Sequence, residues 1–272
     1  MLRAVGDTAI LFVRTHCFFG MSTVITRIHT PEGLVIGADS EQRDGESKEL
    51  LPHVRKVFWI DEEPDELLLT HAVAGTVEFL TTGTKTSYFN FNEETKKAAK
   101  SALLQQPEPS VSALNYFATI AEALTTALTS ALRAANQKLT GGESPTLIYL
   151  DGYLTRKRAS GVIQIVYDKK SDIRIQSSEP DEGIPGGYIS ERLLSALNDG
   201  DQRLERHEAA WKKSPAARTL TDALHITEDL VKAHCCASST EIDERCPTGG
   251  GPTQICTIKL GENIQWVSGF EP

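Results

Sequence analysis

The sequence predicts an α+β domain in which sheets stack and helices cover their outer faces. Short apolar or β-branched runs dominate residues 24–74 and 146–176. Two helix-forming stretches follow each of these segments, and two further strand-like runs close the chain. Strands and helices segregated in this way are typical of α+β domains rather than of alternating βαβ folds.

The first strand-rich segment opens on a hairpin. Residues 24–28 alternate and predict a half-buried strand, whereas residues 34–38 are continuously apolar and indicate a strand covered on both faces. A Pro-Glu-Gly turn joins the two runs. Residues 54–60 and 67–74 predict two more strands, and we expect a helix from about Thr76.

The rest of the chain repeats this arrangement of helices and strands. Ser110 is a good N-cap for an Ala- and Leu-rich helix over residues 111–138, whose apolar positions keep to one face. The other predicted elements are strands at residues 146–150, 161–167, 173–176, 254–259 and 264–267, and helices at residues 189–197 and 219–234.

Composition narrows the class of protein. The 272 residues are 40 % hydrophobic and 24 % charged, which is ordinary for one large globular domain. A net charge of −9 argues against a nucleic-acid groove or an anionic membrane surface. No run approaches the roughly 18 apolar residues of a membrane span.

The cysteines predict a cytoplasmic protein without a metal site. Their number, five, is odd and their spacing is not that of a disulfide framework, which suits a reducing compartment. No C-x₂-C pair accompanies them, so we expect no zinc site, and no other cofactor is indicated.

Residues 1–20 differ in character from the rest of the chain, and three interpretations compete. They are a propeptide, a weak targeting segment, or an upstream extension that is not translated. Met21 followed by Ser22 looks like a natural start, so we take residues 21–272 as the domain. If Met21 is trimmed, Ser22 becomes an amino terminus that carries a hydroxyl nucleophile and its own amine base.

Several motifs at the corners of this pattern point to one family. They are Ser-Thr-Val at 22–24, Gly-Leu-Val-Ile-Gly-Ala-Asp-Ser at 33–40, Val-Arg-Lys-Val at 54–57 and Ala-Gly at 74–75, with weaker matches at 220–224 and 250–255. The sequence resembles the proteasome β-subunit family and its bacterial relatives within the N-terminal-nucleophile hydrolases. The resemblance implies a four-layer αββα sandwich of two stacked antiparallel sheets. It also implies a peptidase that uses its own first residue, needs no cofactor and assembles into rings or helical stacks.

The resemblance assigns a role to four residues. Ser22 would attack the carbonyl of a peptide or other amide substrate while its α-amine, with a reference pKa of about 7.7–8.0, takes the proton. The charge of Lys56 would favour the deprotonated nucleophile, and Asp39 would keep that lysine charged and oriented. The Gly75 N–H would hold the oxyanion.

The sequence also departs from the family. Active relatives carry a serine where this chain has Gly186 and Gly187, and an aspartate and a serine before the position of Gly250. Asp243 is a candidate to replace that aspartate. A catalytically inactive structural subunit therefore remains an alternative, as does an amidase or acylase that acts on a small molecule.

Overall fold

The computed structural model describes residues 23–43, 50–51, 54–63, 67–75, 77–80, 87–105, 112–135, 146–166, 172–176, 181–244, 246 and 250–268. The 1–20 extension and Ser22 lie outside these residues. The strands are β1 (Ile25–Thr30), β2 (Gly33–Ala38), β3 (Gln42–Arg43), β4 (Leu50–Leu51), β5 (Val57–Glu63), β6 (Leu67–Ala74), β7 (Glu78–Leu80), β8 (Ser87–Asn90), β9 (Thr146–Leu154), β10 (Lys157–Val166), β11 (Asp172–Gln176), β12 (Gly186–Tyr188), β13 (Gln254–Ile258) and β14 (Gln265–Ser268). The helices are α1 (Phe91–Gln105), α2 (Ala113–Ala134), α3 (Glu191–Asp199), α4 (Glu208–Trp211), α5 (Leu220–Cys235) and α6 (Ser239–Ile242).

Two five-stranded sheets form the centre of the molecule. The first has the strand order β12-β1-β2-β13-β14 and the second the order β11-β10-β9-β6-β5. Every strand pair in the two sheets is antiparallel. The predicted α+β class with antiparallel sheets is therefore confirmed.

Buried apolar side chains form three clusters. One contains residues of α1 and α2 together with Leu69 and Ile163 of the second sheet. Another joins side chains of both sheets, such as Ile36 of β2 and Leu68 of β6. The third joins Ile28 and other residues of the first sheet to α3, α4 and α5. Residues on the two faces of a strand such as β1 thus belong to different clusters, because successive side chains of a strand point to opposite faces.

Local signals explain where the main helices begin. Thr219 and Asp222 form a capping box at the start of α5, in which the threonine accepts from the Asp222 N–H and the aspartate accepts from the Thr219 N–H. For α2 the N-cap is Ser112, whose hydroxyl accepts from Asn115. The predicted cap, Ser110, lies outside the described residues.

The expectation of a helix from about Thr76 is wrong. The chain forms the hairpin strands β7 and β8 there, and α1 begins only at Phe91. Phe79 of β7 and Phe89 of β8 lie opposite each other and contact Phe91, and this aromatic packing favours strands over a helix. The Asn90 side chain accepts from the Asn92 N–H at 2.9 Å and so marks the true helix start.

A buried polar network joins the two sheets. Arg27 Nη1 of β1 lies 3.0 and 3.1 Å from the two carboxylate oxygens of Asp151 on β9. His29 Nε2 lies 3.2 Å from the same carboxylate, and the Ser160 hydroxyl donates to it. Because Asp151 and His29 are fully buried, this network ties the sheets together in a region that water does not reach.

Gly152 is a position where the sheet admits only glycine. Its φ is +153°, and a Cβ there would lie 2.0 Å from the Leu68 carbonyl oxygen and 2.9 Å from Leu69 Cα. We expect Gly152→Ala to lower the free energy of unfolding by roughly 3 kcal/mol, because it adds backbone strain and overlap within the β6–β9 pair. Urea denaturation of the purified protein measures this loss.

Gly261 provides the matched control for this prediction. Its φ is +80°, but a Cβ would meet no atom within 4 Å, so Gly261→Ala introduces strain alone. That change should cost only about 1 kcal/mol. Equal losses in the two variants would contradict the role assigned to the close strand approach at Gly152.

Candidate active site

The residue that follows β2, Asp39, places its carboxylate next to the first residues of the described chain. Asp39 follows β2 directly and is fully buried. Its oxygens accept from the backbone N–H of Val24 at 2.9 Å and of Glu41 at 3.1 Å. Because both backbone bonds hold the carboxylate in place, Asp39 is fixed relative to the start of β1.

Lys56 reaches this carboxylate from the segment that precedes β5. Its Nζ lies 2.8 Å from each oxygen of Asp39. Gln254 of β13 holds the lysine backbone, since its Oε1 accepts from the Lys56 N–H at 2.7 Å and its Nε2 donates to the Val54 carbonyl at 2.6 Å. Three separate segments of the chain therefore define the position of one ammonium group.

Burial opposes the charges of this ion pair, and the direct contact between the two groups supports them. Burial raises the pKa of the Asp39 carboxyl, and the charge of Lys56 opposes that rise. Burial also lowers the pKa of the Lys56 ammonium, and Asp39 opposes that fall. Because the contact is direct and bidentate, each group favours the ionised form of the other near neutral pH.

The hydroxyl that contacts this pair belongs to Thr23. Lys56 Nζ lies 3.2 Å from Thr23 Oγ1 and donates to it. Thr23 is partly buried, whereas Ser22, the predicted nucleophile, lies outside the described residues. The structure thus brings together Asp39, Lys56 and a hydroxyl one residue later than the one predicted.

Gly75 follows β6, the strand whose last residue, Ala74, is buried in the cluster between the sheets. The same cluster contains Ala38 and Val57, the chain neighbours of Asp39 and Lys56. Gly75 has a φ of +92°, a conformation that glycine adopts without strain. Its assignment as an oxyanion donor stays a prediction.

The close approach of β1 explains why β12 carries glycine at position 187. Gly187 has a φ of +116°, and a Cβ there would lie 2.2 Å from the Ile25 carbonyl oxygen of β1. The close approach of these two strands at the entrance to β1 excludes a serine at position 187. The departure from active relatives is thus built into the pairing of β12 with β1.

The structure places Asp243, the candidate to replace the missing aspartate, at the start of α3. It is buried, and its carboxylate accepts from the Ser190 hydroxyl at 2.8 Å. The Ser190 N–H donates to His234 Nε2 at 2.9 Å. Asp243 is therefore committed to the N-terminus of α3, where Ser190 is the N-cap.

Two residues that sequence reasoning missed lie close to Lys56. Glu41 and Cys235 both interact electrostatically with its ammonium. Burial and the nearby Asp39 carboxylate raise the pKa of the Cys235 thiol to about 12, so it remains a neutral thiol near pH 7. No spacing in the sequence links the end of α5 to Lys56, so only the fold could show this contact.

The Ser160, His29 and Asp151 cluster has the composition of a serine triad but not its geometry. In a triad the carboxylate and the hydroxyl engage opposite ring nitrogens. Here both Asp151 and Ser160 contact His29 Nε2. The cluster is also buried between the sheets, so we interpret it as structural.

A cleft of about 190 Å³ lies between β5 and the start of α1. Its walls include Arg55, Trp59, His71 and Lys96, and burial lowers the pKa of His71 to about 3, which keeps that ring neutral. None of Thr23, Asp39 and Lys56 lines it. The cleft is therefore separate from the candidate active site.

The described residues contain neither a metal-binding cluster nor a membrane-spanning helix. No group of three or more His, Cys, Asp or Glu side chains there is arranged to hold a metal ion. No helix in the same part of the chain is long and apolar enough to cross a membrane.

Comparison with known proteins identifies the fold. No family model and no curated protein sequence matches the chain. The structure of the helical assembly of the Anbu complex from Pseudomonas aeruginosa matches with a TM-score of 0.51 and 16 % identity, covering 90 % of this chain and 85 % of that one. Two structures of Anbu from Hyphomicrobium sp. strain MC1, one a Gly-1 mutant, give TM-scores of 0.48 and 0.47 at 13 % identity, covering 91 % and 93 % of this chain and 88 % and 90 % of theirs.

These matches correct the family resemblance drawn from the sequence. The solved structures named above are of Anbu, a proteasome-related family distinct from the proteasome β-subunits. At 16 % identity the likeness shows a shared fold and no more. The architecture is compatible with a sandwich of the N-terminal-nucleophile type.

Proposed function

We propose that the chain is an N-terminal-nucleophile hydrolase that cleaves peptide or other amide bonds. One observation carries the proposal: the Lys56 ammonium, held by Asp39, donates to the Thr23 hydroxyl at 3.2 Å. A buried cation next to a hydroxyl favours its deprotonated form and so activates it as a nucleophile. The fold shared with the Anbu complex supports the same interpretation.

We place the nucleophile at Thr23, because its hydroxyl accepts from the Lys56 ammonium. In this proposal, removal of the preceding residues frees the Thr23 α-amine, which accepts the hydroxyl proton. Thr23 Oγ1 then bonds to the substrate carbonyl carbon, the C–N bond breaks, and the leaving nitrogen takes the proton. Water hydrolyses the resulting ester, which releases the acid product and restores the hydroxyl. The predicted role of the Gly75 N–H is to bind the oxyanion in both steps.

Covalent labelling tests this proposal. A peptidyl β-lactone opens on a reactive hydroxyl and adds its full mass to the protein as an ester. We expect the mature protein to begin at Thr23 and to carry one adduct, which peptide mapping locates on that residue. Thr23→Ala should abolish the adduct, whereas Ser22→Ala, the matched control, should retain it.

The other outcomes of this experiment are equally informative. An adduct that survives in Thr23→Ala and disappears in Ser22→Ala would return the role to Ser22. A chain that keeps residues 1–22 and takes no adduct would indicate an inactive structural subunit, an alternative that the missing family serine and aspartate favour. If an adduct forms, turnover of peptide substrates separates a peptidase from a small-molecule amidase.

The architecture of the whole domain is part of the proposal. We infer that residues 21–272 form one four-layer αββα sandwich. The three clusters of buried side chains support this order, since they lie between helices and a sheet, between the two sheets, and between the other sheet and helices. The free cysteines among the described residues agree with a cytoplasmic location.

Self-association is a further part of the proposal. The Anbu complex of Pseudomonas aeruginosa is described as a helical assembly. By analogy we propose that copies of this chain assemble into a ring or a helical stack. Size-exclusion chromatography with light scattering tests this, and a monomer at micromolar concentration would contradict it.

A further inference from the structure

Glu41 is a buried carboxylate with no role in the chemistry proposed for Thr23. Only 7 % of the residue is exposed, although glutamate is rarely buried without a specific partner. Its own N–H donates to Asp39 Oδ2 at 3.1 Å, so its backbone is fixed to the ion pair. The side chain interacts electrostatically with Lys56 and with Cys235.

The turn before β13 is shaped to admit this carboxylate. A Cβ on Gly250 would lie 2.5 Å from Glu41 Oε2 and 3.6 Å from Glu41 Cδ. Apart from Gly250 and its two chain neighbours, no other atom of the described chain lies within 4 Å of that position, so a side chain there would displace the Glu41 carboxylate. The Glu41 carboxylate thus packs against Gly250 and interacts electrostatically with the ammonium of Lys56.

We propose that Glu41 is a positioning residue of this site, whose carboxylate supplies the second negative charge that holds Lys56 as an ammonium on the Thr23 hydroxyl. Asp39 binds the ammonium directly, and Glu41 adds its field from the side of the Gly250 turn. The inference rests on the proposed function.

The ionisable groups near Glu41 determine how the pKa of Lys56 changes when Glu41 is neutralised. They are Asp39 after β2, Lys56 before β5 and Cys235 at the end of α5. Since Cys235 is a neutral thiol, Glu41 and Asp39 supply the negative charge beside Lys56. Neutralising Glu41 therefore lowers the pKa of the Lys56 ammonium and of the free Thr23 amine.

The rate of acylation by the peptidyl β-lactone, measured against pH, tests the inference. In Glu41→Gln both limbs of the profile should move to lower pH by a fraction of a pH unit, because Glu41 acts on Lys56 more weakly than Asp39 does. Gly250→Ala should produce a shift in the same direction, because the new methyl group displaces the carboxylate. The double variant should shift no further than Glu41→Gln alone. Glu262→Gln, which removes an exposed carboxylate near Lys259, is the control and should leave the profile in place.

A second measurement does not depend on catalysis. The Nζ resonance of Lys56 in lysine-labelled protein, assigned by its loss in Lys56→Met, reports the titration of this one ammonium. Its midpoint should fall in Glu41→Gln and stay constant in Glu262→Gln. An unchanged midpoint in Glu41→Gln would overturn the inference, as would an unshifted acylation profile. If the wild-type protein takes no adduct, the proposed function fails, while the lysine titration still decides the role of Glu41.

Discussion

Lys56→Met should slow acylation of the protein by the peptidyl β-lactone by about 10²–10³-fold, the range for loss of one preorganised electrostatic contact at a reacting centre. The change should also lower the free energy of unfolding by about 3–5 kcal/mol, because it leaves Asp39 buried without its counter-ion. Lys56 Nζ contacts both oxygens of this carboxylate at 2.8 Å and the Thr23 hydroxyl at 3.2 Å. Labelling kinetics and urea denaturation at pH 7 measure the two effects.

The double variant Lys56→Met with Asp39→Asn separates catalysis from stability. It removes both charges, and replacement of a buried ion pair by neutral groups of similar volume is often close to neutral for folding. We expect it to regain at least half of the lost stability while acylation stays as slow as in the single variant. Acylation of Lys56→Met within twofold of the wild-type rate would contradict the role of Lys56.

Asp151→Ala should lower the free energy of unfolding at pH 7 by about 3–5 kcal/mol without preventing labelling of Thr23 in the folded fraction. The substitution leaves Arg27, 5 % exposed, as an uncompensated charge between the two sheets. His29 and Ser160 lose a hydrogen-bond partner in the same step. Urea denaturation gives the loss in stability, and an intact adduct shows that the site still forms.

The pH dependence of this effect has a defined sign. Burial alone would raise the pKa of Asp151, but Arg27, His29 and Ser160 together lower it overall. A carboxyl whose pKa is lower in the folded than in the unfolded state, where it is about 3.9, stabilises the fold above that value. The difference between wild type and Asp151→Ala should therefore shrink as the pH falls below about 4.

Asp201→Asn provides the matched control. Asp201 pairs with Arg203, and the hydrogen bonds from that arginine lower its pKa to about 2. The pair lies at the surface, where water and salt screen it, so its loss should leave the urea midpoint nearly unchanged. A loss as large as that in Asp151→Ala would contradict the argument from burial.

Much of the fold could be predicted because its strands carry strong local signals. The apolar run of β6 was predicted with its observed bounds, Leu67–Ala74, since a strand buried throughout reads as a continuous apolar segment. The helix predicted at residues 219–234 likewise agrees with α5, Leu220–Cys235, whose start is fixed locally by the Thr219 and Asp222 capping box. The hairpin of β7 and β8 was missed because aromatic contacts between Phe79, Phe89 and Phe91 decide it, and these depend on tertiary packing.

Only the part of the candidate site that lies within recognisable sequence motifs could be predicted. Asp39 and Lys56 were identified from a family resemblance whose name needed correction, yet the two side chains meet in the structure. The choice between Ser22 and Thr23 depends on strand register. The Val24 N–H donates to the Asp39 carboxylate, and the side chain of the preceding residue, Thr23, accepts from Lys56. A shift of one residue reverses which side chain faces a given side of a strand, and the sequence alone does not fix that shift.

The clamp that Gln254 forms on Val54 and Lys56 can form only late in the synthesis of the chain. The amide lies 198 residues after Lys56 in the chain. At a synthesis rate of 5–20 residues per second, a ribosome needs roughly 10–40 s to cover that distance. The Lys56 backbone therefore gains this support only when almost the whole chain has been made. Under the proposed function, the chain would therefore gain its complete site only at the end of translation.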